Sequence, residues 1–511
     1  MKKIIQKVDG HIGSGKSYRT REWYAKLIAE NGGNPVPATF ATPTNGLSNE
    51  HHEELSKLGI SSLVISQDAG FRSSTEAYVR YCDEGYEGVL IPNNMIALNA
   101  RANTSNRLLA IDEAFSPLDT IRIEFESPED VRELYVIEAT DTQPKAAPMY
   151  EVVPSTPMNN ALKDPYDTER RFKGYGEHAK KLAAYIHNDQ YRVVIDQDSF
   201  DKASSGNAFL KRDKTGKVIG ESRVWLQFTI FMLPSIVDAY KDVLMISANF
   251  DKTLLSLMWS KDVEFQTNKE IQTGLRYQDM KHVADHVELY HAPVKNLSKT
   301  FLTRLGKGDE ETGTQQFLDM VALCLDEMFP GREHIHCSNK RSNDKDFRWL
   351  LDGEKGGQRV ITNPFGWNSF QHCNMAVFLA AINYDPDTNE RLYAFYGITQ
   401  KQAKDALCYQ MVYQFMGRTM IRDKENIGKP DENGKLLKVV LVLPDEGAAE
   451  AVQEMLGCAA STPLPIDFGE QPKRGRPRVE KSEDQKRVEA TERKRKSRAA
   501  RKAEAAVETT L

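Results

Sequence analysis

The first readable pattern along the chain is the apolar run Lys3 to Val8, which predicts a short strand. Soon after it, Tyr18 to Asn31 is free of Gly and Pro and places Trp23, Tyr24, Leu27 and Ile28 at helical spacing, so a helix is expected up to Gly32-Gly33. Strand-like apolar runs recur at Ala38 to Ala41, Leu108 to Ile111, Leu134 to Ile137, Val243 to Ile246, His334 to Cys337 and Val377 to Ile382. Thr314 to Phe329 predicts a second long helix, and Lys211 to Glu221, with turn residues between polar strands, predicts a hairpin. The most apolar long stretch, Trp225 to Tyr240, is interrupted by Gln227, Pro234 and Asp238, too polar for a membrane span, and reads as a buried core helix.

Between the first strand and the first helix lies Gly10-His11-Ile12-Gly13-Ser14-Gly15-Lys16-Ser17, a full match to the phosphate-binding loop pattern. Glycines in such a loop let backbone amides close around phosphate oxygens, and the helix that follows presents its positive N-terminal dipole to the same anion. Gly13, Ser14, Gly15, Lys16 and Ser17 are therefore the expected nucleotide-binding residues, with ATP as the ligand. Lys16 is expected to reach the β and γ phosphates and Ser17 to hold Mg²⁺. A chance Gly/Ser-rich turn is the alternative, and the strand before and helix after it argue for function. The metal and the attacking water also need carboxylates. Leu108-Leu109-Ala110-Ile111-Asp112-Glu113 supplies an apolar strand ending in two of them, Asp112 to help hold Mg²⁺ and Glu113 to polarise water.

Taken in order, these segments and those downstream resemble the superfamily 2 helicases, whose core binds ATP and nucleic acid across the cleft between two domains. The resemblance implies an α/β fold with two RecA-like P-loop domains in tandem. Thr42-Pro43-Thr44 stands where this family places a motif that touches the nucleic-acid backbone. Asp112-Glu113-Ala114-Phe115 looks like the DEAD or DEAH box, with Phe115 replacing the polar fourth residue. Ser247-Ala248-Asn249 is similar to the Ser-Ala-Thr motif that links ATP state to strand movement, and Ala139-Thr140 competes for that role. His334 to Cys337 with Ser338-Asn339-Lys340-Arg341 looks like the strand and basic turn that begin the second domain's motifs. Thr362, Gly366 and Asn368 follow the Thr-x-x-x-Gly-x-Asp pattern with Asn in the last place. Gln414-Phe415-Met416-Gly417-Arg418 with Arg422 resembles the motif that carries an arginine finger, which adds Gln414, Arg418 and Arg422 to Glu113 as catalytic candidates. Arg422 comes one residue later than in many members, which leaves open which arginine is the finger. The resemblance covers most of residues 1 to 425 and is nearest to the phage and viral replication helicases. The phosphate loop begins at residue 10, with no room before it for the adenine-recognition segment of the DEAD-box RNA helicases.

Ser247 follows Asp112 by 135 residues, more than a strand-to-strand step needs, so an insertion is expected between about residues 120 and 240. The expected division is a first RecA-like domain at 1–119 and 241–290, the insertion at 120–240, a second domain at 291–468 and a tail at 469–511. The linker between motor domains is expected near Ala292 to Leu302.

Composition changes this picture in one place, the end of the chain. The 511 residues carry a net charge of -5 with 40% hydrophobic and 28% charged residues, as in a globular soluble protein. From Gln471 to Leu511, however, 14 basic residues face 7 acidic ones. Pro472-Lys473-Arg474-Gly475-Arg476-Pro477-Arg478 resembles the AT-hook, in which an Arg-Gly-Arg-Pro segment lies along an A·T-rich minor groove. Arg474, Gly475, Arg476 and Pro477 are thus expected to contact DNA, and the basic run from Arg493 to Lys502 to add salt-dependent affinity as a disordered or helical tail. The six cysteines form no CxxC pair, and no apolar leader follows Met1, so a reducing cytoplasmic compartment and no membrane are expected.

The function expected from the sequence is an ATP-dependent DNA helicase or translocase acting in replication or recombination. An ATP-switched DNA-binding regulator that separates no strands and a viral DNA-packaging motor are the competing readings.

Overall fold

The computed structural model describes residues 2–129, 131, 135–140, 146–154, 176–212, 218–339, 357–362, 369–423, 426–430, 434 and 436–469. The chain first lays down β1 (Lys3–Gly10), β2 (Ala38–Ala41), β3 (Ser62–Ile65), β4 (Val89–Pro92) and β5 (Leu108–Asp112). It continues through β6 (Leu118–Phe125), β7 (Tyr135–Thr140), β8 (Met149–Pro154), β9 (Tyr191–Asp196), β10 (Leu210–Arg212), β11 (Val218–Glu221) and β12 (Val224–Met232). Next come β13 (Asp242–Ala248) and β14 (Val263–Thr267), then β15 (Val287–His291), β16 (His334–Cys337), β17 (Gly357–Arg359), β18 (Met375–Phe378), β19 (Val439–Leu443) and β20 (Thr462–Pro463).

Seven of these strands form one parallel sheet in the order β14-β1-β13-β5-β2-β4-β3. Its central strands are buried along their whole length, as in LLAID of β5 and ATFA of β2, which is the pattern of a parallel sheet covered on both faces. The strand that feeds the phosphate loop and the strand that ends in Asp112 flank β13. A second parallel sheet, β17-β16-β18-β19-β15-β20, is centred on the fully buried VVLVL of β19. These are two RecA-like α/β lobes in tandem. Between β5 and β13 the chain builds an antiparallel sheet, β6-β12-β9-β8-β7, and β10 pairs with β11 as the expected hairpin.

The helices that matter for the site are α1 (Lys16–Glu30), α2 (Asn45–Lys57), α3 (Glu310–Met328), α4 (Pro386–Tyr396), α5 (Gln400–Lys404) and α6 (Gln410–Met416). α1 packs through Tyr24, whose ring meets Phe40 of β2 edge to face at 5.3 Å. α5 and α6 are joined by a π-helical turn, Asp405–Tyr409, and α6 anchors in the second lobe by the contact of Phe415 with Phe378 of β18. Among the described residues no helix is long and apolar enough to cross a membrane.

Two expectations need correction. Trp225 to Tyr240 is not a helix but β12 followed by a 3-10 turn at Pro234–Val237. The strand is buried on both faces from Leu226 onward, so it shows no alternation, and its Gln227 accepts from Arg122 Nε at 2.6 Å instead of facing solvent. The crossing between lobes also lies earlier than Ala292 to Leu302. Val287–His291, expected to close the first domain, pairs with β19 and β20 of the second sheet, and Ala292, Val294 and Leu297 are already buried. The chain therefore crosses within 274–286.

Arg107, 1% exposed, stitches the amino-terminal edge of the first sheet. Its guanidinium donates to the carbonyls of Ala38, Tyr86 and Gly88 and to the Thr39 hydroxyl. Arg107→Ala strands these acceptors in a dry interior, so the unfolding free energy is expected to fall by about 3 kcal/mol, measured as a lower denaturant midpoint at unchanged slope.

Candidate functional site

The strand register brings the candidate residues to one edge. Gly10 sits opposite Ala248, Ile246 opposite Asp112, and Ile111 opposite Ala41, so the carboxyl ends of β1, β13, β5 and β2 terminate together. Thr42 bridges to Asn93 beyond β4 at the same level. Crevices outside the carboxyl ends of parallel strands are where α/β sheets bind ligands.

The phosphate loop has the backbone that such binding needs. Gly13 and Gly15 take left-handed φ values of 70° and 81°, which turn successive amides inward ahead of the α1 N-terminus. Ser14 is fully buried and its Oγ has no hydrogen-bond partner. Lys16 folds back over the loop, donating to the carbonyls of Gly10 at 3.1 Å and His11 at 2.8 Å. Burial pulls the Lys16 ammonium below its ordinary pKa, opposed by Glu113, so an anion in the loop would relieve a desolvated cation.

Ser17 and Asp112 are brought together, the hydroxyl hydrogen-bonding the carboxylate, a hard-oxygen pair suited to Mg²⁺. Burial alone would raise the Asp112 carboxyl; the hydrogen bonds from His51 and Ser17 outweigh it and hold the group below the usual range. His51, on α2, lies 2.9 Å from Asp112 Oδ2 through Nε2, while its Nδ1 faces Arg21 Nη1 of α1 at 3.3 Å. One tautomer satisfies both contacts, Nε2–H donating to the carboxylate and Nδ1 accepting from the guanidinium.

Glu113 leaves β5 in a left-handed conformation, φ 73°, held by its amide donating to Ile246 O at 2.8 Å. Such a backbone costs a non-glycine residue about 1–3 kcal/mol and is concentrated at functional sites. It carries the carboxylate toward the second lobe, where Gln414 Nε2 donates to Glu113 Oε2 at 3.3 Å. Burial pushes the Glu113 carboxyl above the usual range, against the pull of Lys16, Arg418 and Arg422. Arg418 is 3% exposed, and burial together with Arg422 brings its guanidinium down to about 9, while Glu113 opposes the shift. Burial lowers Arg422 too, with Glu113 opposing, and the side chain packs on the loop: a Cβ added to Gly13 would stand 3.3 Å from its Cγ.

The lobes meet at the loop itself. The Tyr413 hydroxyl lies 3.2 Å from His11 Nδ1 and 3.5 Å from the Ile12 amide. The approach at Gly417 is close: a Cβ there would come within 2.3 Å of Ile12 Cδ1, so a larger residue would displace the Ile12 side chain. Arg276, in the crossing segment, donates its amide to Ser14 O at 2.9 Å and lays its side chain beside Gly15.

The remaining candidates separate. Thr42 is fully buried and its hydroxyl engages Ser48 at 2.6 Å, so it fixes α2 and is closed to a nucleic-acid backbone. Thr44 caps α2 by accepting from the Leu47 amide, and Pro43 between them lines an interlobe cavity. Ser247 and Ala248 line the same cavity, and Asn249, at a left-handed φ of 50°, reaches Met455 in the second lobe. The competing Ala139-Thr140 pairs with Tyr150 and Met149 in the antiparallel sheet. Thr362 follows β17, whereas Gly366, Asn368, Arg474, Gly475, Arg476 and Pro477 lie outside the described residues. His51, Arg21, Tyr413 and Arg276 were not expected. His51 sits in a charged run, His51-His52-Glu53-Glu54, that reads as a solvated helix face.

No family model and no curated protein matches the chain. Among solved structures it is similar to Xpd4 of S. tokodaii, at 10% identity over 90% of this chain and 94% of that one, with a TM-score of 0.42. It is also similar to S. cerevisiae Dbp5 bound to RNA and ADP BeF3, at 10% identity over 91% and 86%, with a TM-score of 0.34. Likenesses this distant add nothing to what the site's own geometry supports.

The Asp112 contact sets a test of the local electrostatics. Because the folded Asp112 pKa is depressed, its stabilisation is present above the unfolded value and lost as pH falls through the folded one. His51→Ala is expected to lower the unfolding free energy by about 2 kcal/mol at pH 7, and the difference from the unmodified protein should shrink below about pH 4, as read in paired denaturant titrations.

Proposed function

We propose that this chain is an ATP-driven motor on nucleic acid, a DNA helicase or translocase whose lobes close on ATP and reopen after hydrolysis. The observation that carries the reading is that the second lobe completes the nucleotide site, with Gln414 on Glu113 and Arg422 against Gly13. A nucleotide site finished only by a second lobe makes lobe closure depend on the nucleotide, which is what a motor requires.

In this reading the loop amides and Lys16 bind the β and γ phosphates, and Ser17 with Asp112 hold Mg²⁺, which supplies neutralising charge there when bound. Glu113 accepts a proton from the water that attacks the γ phosphorus, while the bond to the β-phosphate oxygen breaks and ADP carries away its electron pair. The raised carboxyl of Glu113 suits it to that task. Arg418 and Arg422 are both buried cations beside one carboxylate, so charge developing on the γ phosphate has two partners already in place. The basic tail, with Arg474, Gly475, Arg476 and Pro477, supports DNA as the track.

The deciding experiment measures ATP hydrolysis with and without single-stranded and duplex DNA, and scores unwinding of a tailed duplex in the same samples. DNA-stimulated hydrolysis with strand separation, both lost in Lys16→Ala, is the expected outcome. Hydrolysis indifferent to DNA with no strand separated would replace the motor by an ATP-controlled DNA-binding switch.

The pH profile of hydrolysis provides a second test. Glu113 works deprotonated and its pKa is raised, so the acid limb of kcat/KM is expected above the ordinary glutamate value of about 4.3. Glu113→Gln is expected to lower kcat by about 100-fold or more and to abolish that limb; an unchanged limb in the variant would assign it to another group.

A further inference from the structure

The second lobe carries a group of metal-type donors that the nucleotide site does not use. A carboxylate oxygen of Glu333, a ring nitrogen of His372 and the Cys373 sulfur all lie within 4.8 Å of one another, the one such group among the described residues. Chain topology puts them together. Glu333 immediately precedes β16 and Cys373 lies two residues before β18, and these strands pair in parallel with Ile335 opposite Ala376, so their amino ends are level. His372 and Cys373 leave a turn that the Cys373 amide closes by donating to the Phe370 carbonyl at 3.0 Å. Arg332, next to Glu333, directs its guanidinium to Asn374 and Lys438.

The donor set selects the ion. Sulfur, imidazole nitrogen and carboxylate oxygen together match Zn²⁺, whereas Mg²⁺ and Ca²⁺ take oxygen ligands. Bonds of about 2.0–2.1 Å at tetrahedral angles place nitrogen and oxygen about 3.3 Å apart, and His372 Nε2 stands 3.2 Å from Glu333 Oε1. Bringing both onto the sulfur asks at most about 1 Å more of two exposed side chains, while Cys373 is fixed in the core. A surface ion pair explains His372 and Glu333 alone, and a packed core cysteine explains Cys373 alone; a metal explains why the three donor atoms converge. Burial, helped by Glu333, pushes the Cys373 thiol up to about 11, so it is protonated at neutral pH and gives its proton up only to something that binds the sulfur.

We propose that Glu333, His372 and Cys373 bind one Zn²⁺, with water in the fourth position, and that the ion clamps the amino ends of β16 and β18. Binding replaces the S–H bond by a Zn–S bond and releases one proton to solvent. The site stands independently of the motor reading, yet it reaches toward the nucleotide residues. The Cys373 carbonyl accepts from the Met420 amide at 3.0 Å, in the turn Met420–Arg422. Zinc thus braces the turn that ends in one of the two arginines facing Glu113.

The test titrates the full reduced chain, in excess Mg²⁺ to supply Ser17 and Asp112, with Zn²⁺ against a chromophoric chelator and with Co²⁺ as a spectroscopic substitute. One equivalent of Zn²⁺ bound, about one proton released at pH 7, and a sulfur-to-cobalt charge-transfer band are the expected results. Cys373→Ser should remove that band. His372→Ala and Glu333→Gln should each weaken Zn²⁺ binding by at least about tenfold. Both replaced side chains are exposed, so these two variants should keep the denaturant midpoint of the metal-free unmodified chain, which separates lost ligation from lost folding. No binding by the unmodified chain at micromolar Zn²⁺ overturns the proposal. A bound metal without the sulfur band, or a band that survives Cys373→Ser, puts the ion on other residues and overturns it as well. Equal affinity in the unmodified chain, His372→Ala and Glu333→Gln does the same, because the sulfur would then lack the partners proposed for it.

Discussion

Three buried cations share one crevice with the carboxylates of Asp112 and Glu113, with Glu50 and Asp9 near enough to act on them, and much of the molecule is arranged around that desolvated charge. Lys16 comes from the loop after β1, and Arg418 and Arg422 come from the end of the second lobe's helix, facing Asp112 and Glu113 at the end of β5. Each cation is pulled below its ordinary pKa by burial, and in the case of Arg418 and Lys16 also by Arg422. Desolvated cations are poor contributors to stability on their own. A polyanion bound as proposed would relieve that desolvation and make the fit of the two lobes depend on its presence.

The two carboxylates are handled differently although they are adjacent in sequence. Asp112 faces inward, where hydrogen bonds from His51 and Ser17 hold its carboxyl below the usual range, as the metal-holding role proposed for it requires. Glu113 turns outward through a left-handed residue, and its pKa is raised by burial. One strained peptide unit thus separates a carboxyl held below the usual range from one pushed above it, and the same turn directs Glu113 to Gln414. The backbone strain is held by the parallel ladder, since the Glu113 amide continues the β5 pairing with Ile246 of β13.

What the sequence makes legible follows from how local each signal is. The phosphate loop and Asp112-Glu113 are short strings bounded by a strand and a helix, and they stand where such strings must stand. Gln414, Arg418 and Arg422 are legible as a pattern, but their approach to Glu113 and Gly13 depends on how two sheets meet. His51 and Tyr413 are not legible, because their partners lie 61 and 402 residues away and no periodicity marks them. β12 reads as a helix because a strand buried on both faces loses its period of two. β15 is misplaced for another reason: a five-residue strand, VELYH, carries nothing that says which sheet it joins.

The antiparallel sheet constrains how the lobes can move. It leaves the first lobe after β5 and returns at β13, the two strands that carry Glu113 and Ser247. It is also joined to the second lobe, where Gln227 donates to Asp385 at 3.1 Å and Arg391 of α4 donates to the Thr229 hydroxyl at 2.8 Å. Arg391 is 2% exposed, so that joint is a buried one and costly to open. Any opening at the nucleotide crevice must therefore either break this joint or carry the antiparallel sheet along with the second lobe. The second course bends the short segments Glu113–Pro117 and Leu233–Lys241, and the first of these begins with the residue proposed to activate water. Motion of the second lobe and the orientation of Glu113 are then mechanically one event, linked from one side by Gln414 and from the other by the chain itself.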